Sequence, residues 1–139
     1  MADFRDRLKW SDDLLFHEGS IDRDHQKIFE LINEIIELEV LHPRSIEFAV
    51  ILSKLSDYGL KHFKKEEALM QKYNYPRYKE HREIHMDYIY HISMFNLNFK
   101  SANHAEPEEV ILYVKDWWYN HILGMDKELG NFIKQQKVL

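Results

Sequence analysis

Residues 21–41 read "IDRDHQKIFELINEIIELEVL" and carry the pattern that decides the fold. Its apolar positions include Ile21, Ile28, Ile32, Ile35 and Ile36. These positions share one face of an α-helix, because side chains three, four and seven residues apart lie on the same side. The dipeptide His42-Pro43 ends the run, since the residue before a proline disfavours helical backbone angles. The stretch therefore predicts one long amphipathic helix.

Three more runs with the same period follow. Ser45 is the expected N-cap of the second run, which ends around Asn74, and the third begins near Pro76. After the polar connection "SANHAEPEE", Pro107 is placed to be the first residue of the fourth run. An N-terminal arm over residues 1–20 precedes the helices, and a short helical tail follows Gly124. The chain is predicted to be all-α, an antiparallel up-down-up-down four-helix bundle forming one domain over residues 1–139.

Composition narrows the class of protein. The 139 residues are 45% hydrophobic and 31% charged, which is typical of a globular domain. A net charge of −5 without a basic stripe argues against a nucleic-acid partner. The lack of cysteine excludes disulfides, cysteine zinc sites, cysteine-ligated iron–sulfur clusters and cysteine-attached haem.

The N-terminal residues do not predict a targeting signal. The first ten residues, "MADFRDRLKW", lack the apolar run of a signal peptide. Apolar stretches stay well short of the roughly 20 residues that span a bilayer. We therefore expect a cytoplasmic protein with no membrane partner. The sequence leaves the oligomeric state open, and a monomer is one of the states it allows.

Ionisable side chains interrupt the apolar face of every predicted helix. They are His25 in the first run, His62 and Glu66 in the second, His81 and His85 in the third, and His121 in the fourth. Burying one such group without a partner costs on the order of 1–3 kcal/mol. The whole set left unpaired would consume the roughly 5–15 kcal/mol by which a domain is stable. Partners or metal ions must offset this cost.

Each of these residues also has an ordinary structural interpretation. A single core histidine is more often hydrogen-bonded than metal-bound, and His-x-x-x-His pairs are common on helix surfaces. The recurrence of such residues on four apolar faces favours metal. Imidazole and carboxylate without thiolate suit iron, zinc, copper or manganese. Six ligands exceed one tetrahedral site and imply two metals, while Arg82 stands where the zinc-protease motif needs glutamate.

The chain resembles the bacterial hemerythrins, a family of non-haem di-iron proteins that bind dioxygen. The resemblance rests on "IDRDHQKIF", "HFKKEEALM", "YNYPRYKEHREIH" and "WWYNHILGMD", with Trp10 in the arm. It implies that His81, His85 and His121 bind one iron and that His25 and His62 bind the other. Glu66 and Asp126 would bridge the two irons together with an oxo or hydroxo group.

The resemblance also implies the function. With the shared oxygen, the first iron has six ligands and the second has five, which leaves one position for dioxygen beside His25 and His62. Ile28, Phe63, Trp117 and Ile122 are the expected lining of the dioxygen pocket. Reversible dioxygen binding for storage, delivery or sensing is the predicted function, and the chain is not expected to be an enzyme. The alternatives are a di-iron oxidase or peroxidase, a nitric-oxide-handling protein using the same iron, or a bundle that holds zinc.

Two positions depart from a simple pattern. Asp126 lies five residues after His121, roughly 140° around a regular helix, so we predict a π-bulge or similar irregularity between them. In "LLFHEGSID", His17 stands where the family commonly has glycine, so a different local turn is expected there.

Overall fold

The computed structural model describes residues 3–98 and 106–138, and within these ranges it contains helices and no strands. A 3₁₀ turn, Asp12–Leu14, lies in the arm. The helices are α1, Gly19–Leu41; α2, Glu47–Lys72; α3, Tyr78–Asn98; α4, Pro107–His121; and α5, Lys127–Val138. A π-helical turn, Ile122–Asp126, joins α4 to α5. α1 packs against α2 and α4, and α2 packs against α3, which confirms the predicted four-helix bundle with an additional C-terminal helix.

The helix ends follow the sequence signals to within a few residues. α1 begins at Gly19 because the Glu18 carboxylate accepts hydrogen bonds from the backbone of Ser20 and Ile21, so the arm is two residues shorter than predicted. α1 ends at Leu41, as the proline signal indicates. Ser45 accepts a hydrogen bond from the backbone of Glu47, but the N-cap position itself falls one residue later.

The fourth helix confirms its predicted start at Pro107. Most of the polar connection before it lies outside the described residues. Within the described ranges, no helix is both long and apolar enough to cross a bilayer.

Two apolar clusters divide the interior along the bundle. The larger cluster draws on α1 to α4 and includes Ile28, Ile32, Leu52, Phe63, Tyr88, Val114 and Trp118. The smaller cluster packs the arm and α5 against one end of the bundle, through Phe16, Ile21, Met70, Tyr75, Leu129 and Ile133. His25 on α1 and Glu66 on α2 each fall between a member of one cluster and a member of the other. A polar layer is therefore enclosed between two apolar ones.

Candidate metal centre

Seven ionisable side chains converge in this polar layer. They are His25 from α1, His62 and Glu66 from α2, His81 and His85 from α3, His121 at the end of α4, and Asp126 at the end of the π-helical turn. All seven are buried, with exposed fractions between 0% and 6%. Each residue that the sequence nominated as a metal ligand is thus brought to one place.

The seven side chains form two overlapping groups of donor atoms. One group has four residues, His25, His62, Glu66 and Asp126. The other has five, Glu66, His81, His85, His121 and Asp126. Within each group the donor atoms lie within 4.8 Å of one another. Both carboxylates belong to both groups, so the structure places them between the two sets of imidazoles.

Each carboxylate sends one oxygen to each group. Glu66 Oε2 lies 3.0 Å from His62 Nε2, while its Oε1 lies 3.1 Å from His85 Nε2. Asp126 Oδ2 lies 3.1 Å from His25 Nε2. Its Oδ1 lies 3.1 Å from the Nε2 atoms of both His81 and His121. This is the arrangement expected of carboxylates that bridge two cations.

Several carboxylate oxygens of the site lie within hydrogen-bond distance of imidazole nitrogens but lack hydrogen-bond geometry. Both Asp126 oxygens and Glu66 Oε1 are buried and accept no hydrogen bond within the described ranges, although imidazole nitrogens lie close by. The His25 and His62 Nε2 atoms are 2.9 Å apart. Two donors that are each about 2.1 Å from one cation, at a right angle, would be about 3.0 Å apart. The residues therefore fit a pair of cations.

Two further carboxylates hold ligand histidines in place. His62 Nδ1 lies 3.0 Å from Asp24 Oδ2, and His85 Nδ1 lies 3.0 Å from Glu67 Oε2. A proton on Nδ1 leaves Nε2 free to bind metal. Sequence reasoning missed both carboxylates. Their only sequence signal is position, since each is the immediate neighbour of a predicted ligand on its own helix.

The charged groups of the site shift one another's pKa values. Burial lowers the pKa of His62, but the Glu66 and Asp24 carboxylates outweigh burial and raise this pKa to about 10. Burial likewise opposes the shift at His81, whose pKa is raised to about 9 by Asp126 and Glu66. Burial raises the pKa of Glu66, but the surrounding imidazoles, led by His62, bring it well below its ordinary value. Metal uptake must displace these protons and release them.

The π-helical turn confirms the irregularity predicted between His121 and Asp126. It spans Ile122–Asp126 and begins directly after the last residue of α4. In a regular helix, a residue five positions on points roughly 140° away. The wider π turn instead brings Asp126 Oδ1 to 3.1 Å from His121 Nε2.

Comparison with known proteins agrees with this geometry. The family model described as "Hemerythrin HHE cation binding domain" matches residues 19–133. The chain belongs to the hemerythrin family. The bacteriohemerythrins of Stenotrophomonas maltophilia and Pseudomonas aeruginosa are 29% and 30% identical to it over 127 and 119 residues. These matches cover 91% and 86% of this chain, and 82% and 76% of the relatives.

A solved structure gives the same result. The crystal structure of wild-type hemerythrin is similar to this chain, with a TM-score of 0.80 at 30% identity. The likeness covers 89% of this chain and 95% of the other. The predicted family and the predicted helical bundle are therefore both confirmed.

The four residues predicted to line the dioxygen pocket differ in what they contact. Ile28, Phe63 and Ile122 are buried in the larger cluster. Trp117 stacks on His121, with ring centroids 4.4 Å apart, and so lies against the five-donor group. Trp118 instead lies 6.2 Å from the His62 ring, on the four-donor side. Of the two adjacent tryptophans, Trp117 thus contacts the five-donor group and Trp118 the four-donor group, and the lining of the dioxygen pocket stays a prediction.

The arm closes one side of the site. Trp10 lies against His25 and Phe29, with ring centroids 6.5 and 5.4 Å away. His17 has a φ of 70°, in the left-handed region that glycine adopts without strain, and the predicted difference from the family's turn stays a prediction. Asp22 fixes this turn by accepting hydrogen bonds from the backbone of Phe16 and His17. His17 is exposed and outside both donor groups.

Proposed function

We propose that this protein binds dioxygen reversibly at a non-haem di-iron centre. His25 and His62 hold one iron, and His81, His85 and His121 hold the other. Glu66 and Asp126 bridge the two, together with an oxo or hydroxo group. The observation that carries the proposal is the unequal donor count, four residues on one side and five on the other. An incomplete donor set distinguishes a reactive metal site from a structural one.

The iron pair supplies the electrons and the free coordination position that dioxygen needs. The chain's own contribution is an apolar surround, in which the rings of Phe63 and Trp118 lie 6.4 and 6.2 Å from the His62 ring. Ile28, Phe63, Trp118 and Ile122 are each at most 1% exposed. Such a surround excludes bulk water, and its side chains offer few protons to a bound molecule.

The indole N–H of Trp118, on the four-donor side, is already engaged in a hydrogen bond. Trp118 Nε1 donates a hydrogen bond to the Tyr88 hydroxyl at 2.8 Å, and both residues are buried. An engaged donor does not pass its proton on readily. This arrangement supports release of dioxygen unchanged over its reduction.

Reversible binding is favoured over the enzymatic alternatives for the same reason. A di-iron oxidase, a peroxidase or a nitric-oxide-handling protein would need a path for protons and substrate to the four-donor side. His17 and the tyrosines are the residues of this chain that could serve such a path. His17 is exposed and outside the donor groups, and the buried Tyr88 hydroxyl already accepts a hydrogen bond from Trp118. Storage, delivery and sensing use the same site chemistry, so the proposal is stated at the level of reversible binding.

The proposal is tested by cycling the iron-loaded protein between reduced and oxygenated forms. After anaerobic reduction, exposure to air should produce a visible charge-transfer band that vanishes when dioxygen is removed. The band should persist long enough to be cycled repeatedly. Rapid turnover with added reductant would support an enzyme instead. Metal analysis of protein purified without added metal tests the zinc alternative, which two irons per chain would rule out.

A further inference from the structure

Three polar contacts converge on one carboxylate beside the four-donor group. Asp24 Oδ2 lies 3.0 Å from His62 Nδ1 and 2.7 Å from Lys65 Nζ. Asp24 Oδ1 accepts a hydrogen bond from the Tyr58 hydroxyl at 3.1 Å. The oxygen that holds the ligand imidazole is therefore the same oxygen that pairs with the lysine ammonium group.

Lys65 is anchored although it lies at the surface. Its side chain is 42% exposed, whereas that of Asp24 is 13% exposed. The ammonium group also donates a hydrogen bond to Ser20 Oγ at 2.7 Å. Both partners belong to α1, while Lys65 belongs to α2, so two short contacts across the helix pair fix the position of the cation. Hydrogen bonds between charged groups are the strongest of their kind.

The five-donor side lacks this arrangement among the described contacts. Glu67 Oε2 holds His85 Nδ1 at 3.0 Å. The nearby cation is Arg82, whose Nε lies 3.6 Å from the other carboxylate oxygen, Oε1. The positive charge is thus farther away and does not share the oxygen that holds the imidazole. The two ligand histidines are supported by carboxylates of different effective charge.

A carboxylate on the far nitrogen of a ligand imidazole makes that ligand a stronger donor. Added negative charge stabilises iron(III) over iron(II), because iron(III) carries the larger positive charge. A cation on the same carboxylate oxygen opposes this effect. We infer that Lys65, acting through Asp24, raises the reduction potential of the iron held by His62 and so favours the ferrous state. This inference rests on the proposed function and makes Lys65 a positioning residue.

The reduction potential of the iron-loaded full-length chain tests the inference. Lys65→Met should lower it by about 30 mV, which corresponds to a roughly threefold change at about 59 mV per tenfold for one electron. Lys65→Arg keeps the charge and should restore the potential. The matched control is Lys64→Met, at the neighbouring exposed lysine, and it should leave the potential unchanged. Lysine and methionine have similar helix propensities, so α2 should be preserved.

A double-mutant cycle tests whether Asp24 carries the effect. In the Asp24→Asn background, Lys65→Met should produce little further change in potential. A second readout needs no iron chemistry, since the affinity of the metal-free chain for Co²⁺ should rise about threefold in Lys65→Met, as a nearby positive charge is lost.

Two results would overturn the inference. One is an unchanged potential in Lys65→Met with the iron centre intact, and the other is an equal shift with and without the Asp24 carboxylate. If the wild-type chain forms no di-iron centre, the proposed function fails instead. The Co²⁺ affinities then test the electrostatic effect of Lys65 independently of iron. Equal affinities for wild type and Lys65→Met would refute that effect.

Discussion

The two halves of the candidate metal centre use the same kinds of ligand side chain but differ in the number of donors. The five-donor half takes three imidazoles from α3 and α4, and His81 and His85 lie one turn apart on a single helix. The four-donor half takes His25 and His62 from two different helices and has no third imidazole among residues 3–98 and 106–138. Glu66 and Asp126 are common to both. Under the proposed function, the five-donor half would hold its metal firmly and the four-donor half would leave room for a small molecule.

The surroundings differ in the same direction. Phe63 stacks on His85 and Trp117 stacks on His121, so two imidazoles of the five-donor half are each packed against an aromatic ring. The four-donor half faces Trp118 and is covered by Trp10 of the arm. Its carboxylate support also carries a lysine. Under the proposed function, this difference would separate the half that retains metal from the half at which dioxygen binds.

The largest expected effect comes from removing an imidazole from the four-donor half. His62→Ala should abolish dioxygen binding and reduce the iron content towards one per chain, since only three protein donors remain there. Iron analysis and the visible band on exposure to air measure both outcomes. His17→Ala, at an exposed position, is the control and should behave as wild type. A normal oxygenated spectrum in His62→Ala would break the assignment of the halves.

Stepwise removal of iron should expose the inequality directly. Under a mild chelator, the four-donor iron should leave first, giving a species with one iron per chain and no dioxygen binding. Each loss should lower the midpoint of thermal unfolding, because a cation present at a thousandfold excess over its dissociation constant adds about 4 kcal/mol of stability. Circular dichroism and iron analysis follow the two steps. Simultaneous loss of both irons would contradict the difference between the halves.

The supporting carboxylates allow a matched pair of substitutions. Asp24→Asn and Glu67→Gln should each weaken metal binding by about 10- to 100-fold at the half they support. Only Asp24→Asn should change dioxygen affinity, since it acts on His62. Competition with a metal indicator and oxygen titration measure the two quantities. An equal change in oxygen affinity for both variants would show that the halves are not separable.

Substitutions of the adjacent residues Trp117 and Trp118 should have the smallest of these effects. Trp118→Leu should destabilise the fold by roughly 2–4 kcal/mol, because Trp118 is fully buried and the cavity it leaves is refilled only in part. It should also speed autoxidation, as water gains access to the four-donor side. Trp117→Leu should cost less in both respects. Urea unfolding and decay of the visible band are the measurements, and faster decay in Trp117→Leu would reverse the placement of the two rings.

Features of the site that depend on spacing along one helix could be predicted from the sequence, whereas those that depend on packing between helices could not. His81 and His85 were identified because four residues make about one helical turn, so their shared face follows from spacing alone. Asp126 came from the family resemblance, and the need for a π turn then followed from the same arithmetic. The fold followed from periodicity because four apolar stripes with short connections leave few other ways to be buried.

The missed features depend on how the helices are rotated against one another. Trp117 and Trp118 differ by roughly 100° around α4, and a periodic pattern is too coarse to say which of them faces His62. Asp24 and Glu67 contact histidines on neighbouring helices, so their roles arise only from packing. The contact between Lys65 and Asp24 has the same origin. Sequence spacing predicts the helix face on which a residue lies, but the packing of the helices determines which residue it contacts.

The most direct test is anomalous diffraction at the iron absorption edge from crystals of the iron-loaded protein soaked in azide, a small anion that fills free iron positions. The account predicts two iron peaks, one bound by His81, His85 and His121 and the other by His25 and His62. It also predicts azide on the second iron alone. A single iron peak, or azide on the iron of the five-donor half, would contradict it.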